Sequence, residues 1–294
     1  MPEGQIVRAV GGFFDVRTPE GDIRCRARGI FKKKNLSPLV GDYVIFERTG
    51  PEEGVVTEVR PRRTELVRPP IANVEQAVVL FSLREPPFQP VLLDRILVHC
   101  ERVGLRVCIC LTKLDLVPDR SEVEQIAKIY TPAGYRVAAT SIRTGEGVEQ
   151  VKEWLKDTLS VFAGPSGVGK SSLLNEILPG LRLRTGQVSA KLGRGRHTTR
   201  HVEIIDLPDG GRVADSPGFS RLDFTGLEET ELGDYFPEIR EHAVHCAFRG
   251  CLHRDEPNCA VREAVDKREI DPGRYRNYLQ FLQEIIENRR FKKW

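Results

Sequence analysis

The segment Gly164-Pro-Ser-Gly-Val-Gly-Lys-Ser171 has the spacing G-x-x-x-x-G-K-[ST]. It follows the apolar run Leu159–Ala163 and precedes Ser172-Leu-Leu-Asn-Glu-Ile177. Glycines in such a loop let the backbone turn successive N–H groups inward around phosphate oxygens, and the start of the following helix adds its dipole. In this reading Gly164, Pro165, Ser166, Gly167, Val168 and Gly169 form the cradle, and Ser172 lies in the first helical turn. Lys170 reaches the β- and γ-phosphates, and the Ser171 hydroxyl ligates Mg²⁺. With a strand before it and a helix after it, the segment reads as a nucleoside-triphosphate site rather than a glycine-rich turn ahead of a core helix.

The base must be read elsewhere. A carboxylate that accepts from the ring N–H and the exocyclic amine distinguishes guanine from adenine, which has an acceptor in place of that ring N–H. Thr112-Lys113-Leu114-Asp115 fits the [NT]-K-x-D motif that does this in GTPases: Asp115 takes the base edge and the Lys113 stem covers the ring face. It follows the apolar run Leu105–Leu111, and open α/β sheets bind ligands at the carboxyl ends of their strands. Ser141-Ile142-Arg143-Thr144-Gly145-Glu146-Gly147 follows another such run, Tyr135–Thr140. It resembles the S-A-K loop whose backbone N–H meets the guanine carbonyl, with Ile142 in place of alanine. Downstream, Asp215-Ser-Pro-Gly218 matches D-x-x-G, in which the aspartate orients Mg²⁺ through water and the glycine N–H contacts the γ-phosphate. Gly193–Arg200 supplies Thr198 and Thr199, either of which could complete the Mg²⁺ shell.

The order of these motifs is unusual. The base-reading segments come first and the phosphate loop follows, the reverse of an ordinary GTPase. A site survives this because its loops all leave one edge of one sheet, so rejoining the chain elsewhere preserves the constellation. The sequence therefore predicts a circularly permuted GTPase domain.

A second chemistry lies near the C-terminus. Cys246-x4-Cys251-x-His253-x5-Cys259 gathers three thiols and one imidazole. That set suits one structural Zn²⁺, which favours four tetrahedral sulfur and nitrogen ligands. His245 competes as a ligand but adjoins Cys246, and His253 is preferred. Cys25, Cys100, Cys108 and Cys110 sit among apolar residues and read as packing.

These sites need elements to hold them. The chain has 294 residues, of which 40% are hydrophobic and 30% charged, enough for buried cores and against global disorder. Its net charge is only +3, so any polyanion binding must come from local patches. No apolar run approaches the roughly 20 residues that span a bilayer, and Met1–Val10 lacks a secretory pattern, which predicts a soluble, cytoplasmic protein with no membrane partner. Residues 1–70 read as a small OB-like β-barrel. Gln5–Arg17 is one strand bent at Gly11–Gly12, followed by Asp22–Gly29, Val40–Glu47 and Gly54–Val59, and Arg60–Pro70 is a Pro- and Arg-rich connector. Residues 71–226 alternate strands with the helical stretches Leu92–Arg102, Arg120–Tyr130 and Val148–Asp157. That pattern predicts an α/β domain on a parallel sheet buried on both faces. His201–Leu207 and Arg212–Ala214 read as a hairpin. Residues 227–294 form a mostly helical unit around the Cys/His knot.

Together, the N-terminal barrel, the permuted TKLD–GPSGVGKSS–DSPG domain, the GRGRHTT segment and the C-x4-C-x-H-x5-C knot resemble the RsgA/YjeQ family over nearly the whole chain. The resemblance implies a ribosome-dependent GTPase that cycles between GTP and GDP on the 30S subunit during its late maturation. It also implies a barrel that contacts 16S rRNA and a zinc-bearing C-terminal domain. Such GTPases lack the water-positioning glutamine after D-x-x-G, and Phe219 stands in that place here. The resemblance assigns water positioning to His197, just before the switch threonines. Turnover should then be slow alone and faster on the ribosome, and the chain is expected to be monomeric.

Charge agrees with an RNA-facing surface. No acidic residue lies between Glu176 and Glu203, where Arg182, Arg184, Lys191, Arg194, Arg196 and Arg200 are basic; Arg24, Arg26, Arg28 and Lys32–Lys34 add to the barrel. Because Asp215–Gly218 closely precedes the zinc unit, the γ-phosphate is expected to fix that unit against the GTPase domain, and hydrolysis to release it. Two rival classes remain: an ATP-dependent enzyme, which Asp115 opposes, and a nucleotide-switched RNA-binding module with negligible hydrolysis, which Phe219 would suit.

Overall fold

The computed structural model describes residues 1–29, 31, 36–67, 69–178, 202–215 and 222–291. Five strands open the chain: β1 (Glu3–Val10), β2 (Phe13–Thr18), β3 (Gly21–Ala27), β4 (Tyr43–Arg48) and β5 (Glu53–Val59). Alternation drives them. Ile23 and Cys25 are buried while Arg24 and Arg26 between and beyond them are exposed, and Val44 and Phe46 are fully buried on β4. The chain pairs in the order β1-β2-β3-β5-β4, and β4 returns to β1, which closes a five-stranded barrel with β3 parallel to β5. The expected single bent strand over Gln5–Arg17 is instead a hairpin. Gly11 and Gly12 have φ of 59° and 83°, the positive pair that a tight two-residue turn requires.

The connector also differs from expectation. Glu65–Val67 (β6) and Pro70–Ala72 (β7) form a short antiparallel ribbon within and beyond it. Arg62 pins the connector to the barrel: its Nε and Nη2 each lie 2.8 Å from the carboxylate of the fully buried Asp42.

The α/β unit follows as β8 (Gln76–Ser82), α1 (Pro90–Arg102), β9 (Arg106–Thr112), α2 (Ser121–Tyr130), β10 (Arg136–Ala139), α3 (Val148–Leu155), β11 (Leu159–Ala163), α4 (Lys170–Ile177), β12 (Glu203–Asp206) and β13 (Arg212–Asp215). The sheet order is β10-β9-β8-β11-β13-β12, parallel except for β12, which forms the expected hairpin with β13. Every residue of β8 and β11 is buried, because helices cover both faces. Ala77, Val79 and Phe81 pack with α1 and α2 on one side, and Val78 and Leu80 with α3 and α4 on the other. The outer edge of β12 meets the barrel: β1 pairs antiparallel with it at Arg8 and Glu203, so barrel and α/β unit share one eleven-stranded sheet.

The last unit contains α5 (Pro237–Ala243), α6 (Ala260–Asp266) and α7 (Pro272–Phe291). Phe224, Phe236, Ile239, Tyr278 and Phe281 build its core, and Val98 of α1 completes it. An ionic cluster joins the two units. The Arg274 guanidinium, 2% exposed, donates to Asp94 of α1 at 2.6 Å and to Glu238 of α5 at 2.5 and 3.0 Å. Asp94 also accepts from Asn277 at 2.6 Å and Tyr130 at 3.0 Å. Burial pushes the Asp94 carboxyl up, and Arg274 and these donors pull against it. Burial also opposes the charge of Arg274, but Asp94 and Glu238 outweigh it and raise its pKa. These contacts involve no residue of the phosphate loop. They seat the C-terminal unit on α1 directly, so release of the whole unit on hydrolysis would strip a buried ion cluster as well as a hydrophobic core.

Removing one partner of such a cluster leaves a buried charge uncompensated. Arg274→Ala should therefore lower stability by about 3–5 kcal/mol. Arg254→Ala, which removes an exposed pair with Asp255, should cost less than about 1 kcal/mol. Urea unfolding followed by tryptophan fluorescence and circular dichroism measures both.

Candidate nucleotide site and metal centre

The loops singled out by sequence leave the carboxyl ends of neighbouring strands. Gly164 follows β11 with φ of 133°, and a Cβ there would stand 2.1 Å from the Leu80 carbonyl oxygen of β8. Only glycine fits, so the phosphate loop starts in backbone contact with the adjacent strand. Lys170 opens α4 and folds back over the loop, where its Nζ donates to Gly164 O at 2.8 Å and Pro165 O at 2.7 Å. Burial lowers its pKa below that of an ordinary lysine. Both of these carbonyl partners are neutral, so among the described residues no carboxylate bonds to the Lys170 ammonium. Ser171 and Ser172 follow within the first turn of α4, and Gly167 and Gly169 also have positive φ.

Thr112, at the end of β9, donates from Oγ1 to Val168 O at 2.5 Å and so ties the base-reading loop to the phosphate loop. Lys113 is in the left-handed region at φ 59°, and its Nζ bonds to the Glu85 carbonyl. Leu114 is buried, and its N–H donates to Thr140 O at 3.0 Å. Asp115 accepts from Ser141 Oγ at 2.6 Å and faces Arg143 Nη1 at 3.8 Å. The Ser141 bond holds the Asp115 carboxyl below the usual carboxylate range, with Arg143 and Lys113 assisting. Ser141 is 1% exposed, whereas Ile142 beside it is 45% exposed on the loop surface. A carboxylate whose charged form is favoured thus stands on the loop that Thr112 ties to the phosphate loop.

Asp215 ends β13. The neighbouring pair Val161–Ala214 aligns β13 with β11, so the Asp215 backbone lies level with Phe162, two residues before the phosphate loop starts. The Asp215 side chain and all of His197, Thr198, Thr199 and Gly218 lie outside the described residues, as do Phe219 and the basic residues Arg182–Arg200. Sequence reasoning missed the loop after β8. Glu85 supplies the carbonyl for Lys113, and Pro86 lies 3.8 Å from where a Cβ on Gly167 would stand. No motif spacing marks that loop; only the β8–β11 pairing places it there.

The knot closes as a four-donor cluster. Donor atoms of Cys246, Cys251, His253 and Cys259 all lie within 4.8 Å of one another, and His245 is not among them. His253 Nδ1 is 3.5 Å from both Cys246 Sγ and Cys259 Sγ, which are 3.9 Å apart. A tetrahedral ion with bonds of about 2.0–2.3 Å separates its ligand atoms by about 3.5–3.8 Å, so these residues fit zinc. Burial pushes the Cys251 thiol up to about 12, raises Cys259 and lowers His253, which favours the neutral imidazole. A divalent cation reverses that preference at the thiols. The turn is braced from outside. Glu256 accepts from the N–H groups of Leu252 at 2.7 Å and Arg254 at 2.8 Å, and the Tyr275 hydroxyl donates to His253 O at 2.6 Å.

Comparison with known proteins identifies the family. The family model described as RsgA GTPase matches residues 59–225, and that of the RsgA N-terminal domain matches residues 3–56. A Bacillus velezensis protein named small ribosomal subunit biogenesis GTPase RsgA is 51% identical over 294 residues, covering 98% of this chain and 99% of its own. A Bacillus subtilis protein of the same name is 48% identical over 296 residues, with the same coverage. Among solved structures, YloQ, a circularly permuted GTPase, superposes with a TM-score of 0.84 at 44% identity, covering 98% of this chain and 96% of its own. YjeQ from Thermotoga maritima superposes with a TM-score of 0.86 at 36% identity, covering 97% and 98%. With a family model over residues 59–225 and relatives near 50% identity matched along almost their whole length, the chain belongs to the RsgA GTPase family.

Proposed function

We propose that this GTPase binds GTP and Mg²⁺ between its phosphate loop and the Thr112–Asp115 loop, hydrolyses GTP on the small ribosomal subunit, and serves that subunit's late maturation in the cytoplasm as a monomer. The observation that carries the nucleotide assignment is the joint placement of Asp115 and Lys170. Ser141 orients an ionised carboxylate for the guanine edge, and Thr112 bonds that loop to Val168, two residues from the lysine that meets the phosphates. The subunit assignment rests on the relatives' name, small ribosomal subunit biogenesis GTPase.

In this reading the backbone of Gly164–Gly169 wraps the phosphate chain, and Lys170 exchanges two carbonyl partners for phosphate oxygens. Ser141 and Ile142 bring backbone to the guanine carbonyl. The Ser171 hydroxyl, Thr198 or Thr199 and the Asp215 carboxylate offer hard oxygens that suit Mg²⁺, which neutralises phosphate charge when bound. Asp215 lies at the end of a strand adjacent to β11, consistent with that role. By the family resemblance His197 orients the attacking water, in place of the glutamine that Phe219 replaces. The zinc held by Cys246, Cys251, His253 and Cys259 is structural, because four protein ligands leave it no open position. The barrel meets RNA with Arg24 and Arg26, whose guanidinium carbons each lie 4.6 Å from the Phe13 ring centre. Both arginines are exposed, so their N–H edges are free for phosphates. No described helix is long and apolar enough to cross a membrane.

The switch acts through the segment after Asp215 rather than by undocking the C-terminal unit. Arg95 of α1 donates to Leu222 O at 3.1 Å, and Arg102 to Gly226 O at 2.9 Å, so α1 grips the chain soon after it leaves the D-x-x-G motif.

Steady-state assays should show slow GTP hydrolysis alone and strong stimulation by 30S subunits, but none by 50S subunits or with ATP. His197→Ala should keep GTP affinity and lose at least about ten-fold in stimulated turnover. Unchanged turnover would reject the role of His197, and no stimulation of the wild type would favour a switched RNA-binding module. Asp115→Asn should weaken GTP binding about ten- to a hundred-fold, as expected for a lost charge-assisted bond, and move preference towards xanthosine triphosphate. Elemental analysis should find one zinc per chain. Cys251→Ser should lower that content and the thermal midpoint while GTP affinity persists.

A further inference from the structure

Where the barrel meets the α/β unit, on the side away from the nucleotide loops, lies an open cleft of about 800 Å³. Its charged walls are Arg60 and Arg63 from the connector and Arg106 and Arg212, the first residues of β9 and β13, against Glu3 and Glu75. Four guanidinium groups thus face two carboxylates across the cleft. Arg60 pairs with Glu3 at 3.3 Å and with Glu58 at 3.2 Å, and Glu75 accepts from the Leu159 N–H at 3.0 Å. Among the described residues, Arg212 reaches only the neutral amide oxygen of Gln5. Arg63 and Arg106 are exposed, and among the described residues no side-chain hydrogen bond or ion pair reaches either guanidinium. Three guanidinium groups thus line one concave wall without a carboxylate of their own. Low-dielectric walls focus such a field, so the excess of guanidinium groups favours an anionic occupant.

Its shape selects a strand over a single anion. Tyr43 stands on the wall with 41% of its surface exposed, a ring face available for stacking. A second hollow of about 570 Å³ shares Glu3, Tyr43 and Arg212 with the first and continues past Arg17. The two form one track with Tyr43 between its halves. Alternating phosphates and bases require that succession of cationic and aromatic groups.

We propose that this interdomain track seats a single-stranded or irregular RNA segment, with phosphates on Arg63, Arg106 and Arg212 and a base on Tyr43. The inference deepens the small-subunit reading and rests on it for the source of the RNA. The strand would bridge barrel and α/β unit from behind the sheet. Arg212 opens the same four-residue strand that ends in Asp215, so the seat lies one strand length from the switch.

The test compares the full-length wild type with Arg63→Gln/Arg106→Gln and Arg63→Lys/Arg106→Lys. Each is cosedimented with purified 30S subunits across a salt series and titrated with a fluorescein-labelled uridine oligonucleotide. The glutamine pair should bind 30S subunits about ten-fold more weakly at ~0.1 M salt, with a log–log salt slope shallower by about 1.5. Its intrinsic GTP affinity should not change. The lysine pair should restore most of the binding, and Tyr43→Ala should weaken the oligonucleotide without changing the salt slope. Wild-type affinity and slope in the glutamine pair would overturn the proposal, and so would a lysine pair as defective as the glutamine pair. A wild type that fails to sediment with 30S subunits would refute the small-subunit reading, and the oligonucleotide titration alone would then decide the track.

Discussion

The pairing of β8 with β11 holds the two halves of the site together. The strands lie about eighty residues apart in the chain, yet Ala77 aligns with Val161 and Val79 with Ala163. That register delivers Gly164 against the Leu80 carbonyl, sets the loop after β8 beside Gly167, and leaves β9 one strand away for Thr112 to reach Val168. Both strands are buried on both faces, so a slip would move side chains between the α1–α2 and α3–α4 layers. The permuted order matters little to the site because loops on one sheet edge do not depend on how the chain connects the strands.

Helix α1 carries the second set of constraints. It packs under the sheet through Leu93, Ile96, Leu97 and Cys100, gives Val98 to the C-terminal core, and offers Asp94 to Arg274. The Arg95 guanidinium stacks over both Phe224 and Phe281, with its carbon 4.6 and 4.7 Å from their ring centres. One rigid helix therefore holds the exit of the D-x-x-G segment and the C-terminal unit in fixed relation.

Much of this was legible in the residues because its determinants are local. The phosphate loop, the Thr112–Asp115 loop and the Cys/His set each announce themselves by type and spacing within a few residues. What escaped depends on long-range partner choice. Gly11–Gly12 sits between two apolar runs that also fit one bent strand, and the sign of φ decides for a hairpin. The β6–β7 ribbon has only three residues per strand in a Pro- and Arg-rich stretch, too few to show alternation. Arg274, Asp94 and Glu238 look like members of solvated helical faces until three helices converge on them. The edge pairing of β1 with β12 rests on a single aligned residue pair, Arg8 with Glu203, which no local pattern specifies. His253 joined the metal cluster as expected, at φ 56°, which helps to turn its ring toward the cysteines.

The shared eleven-stranded sheet has a consequence for synthesis. The barrel can close by itself as soon as β5 leaves the ribosome, but the Arg8 end of β1 lacks its outer partner until Glu203 has been made. At about 5–20 residues per second, the stretch from Val59 to Glu203 takes on the order of seven to thirty seconds. An open strand edge is a template for pairing with other chains, and proteins blunt such edges with charge. Arg8, exposed on β1, provides that charge while the nascent barrel waits for the strand that will cover it.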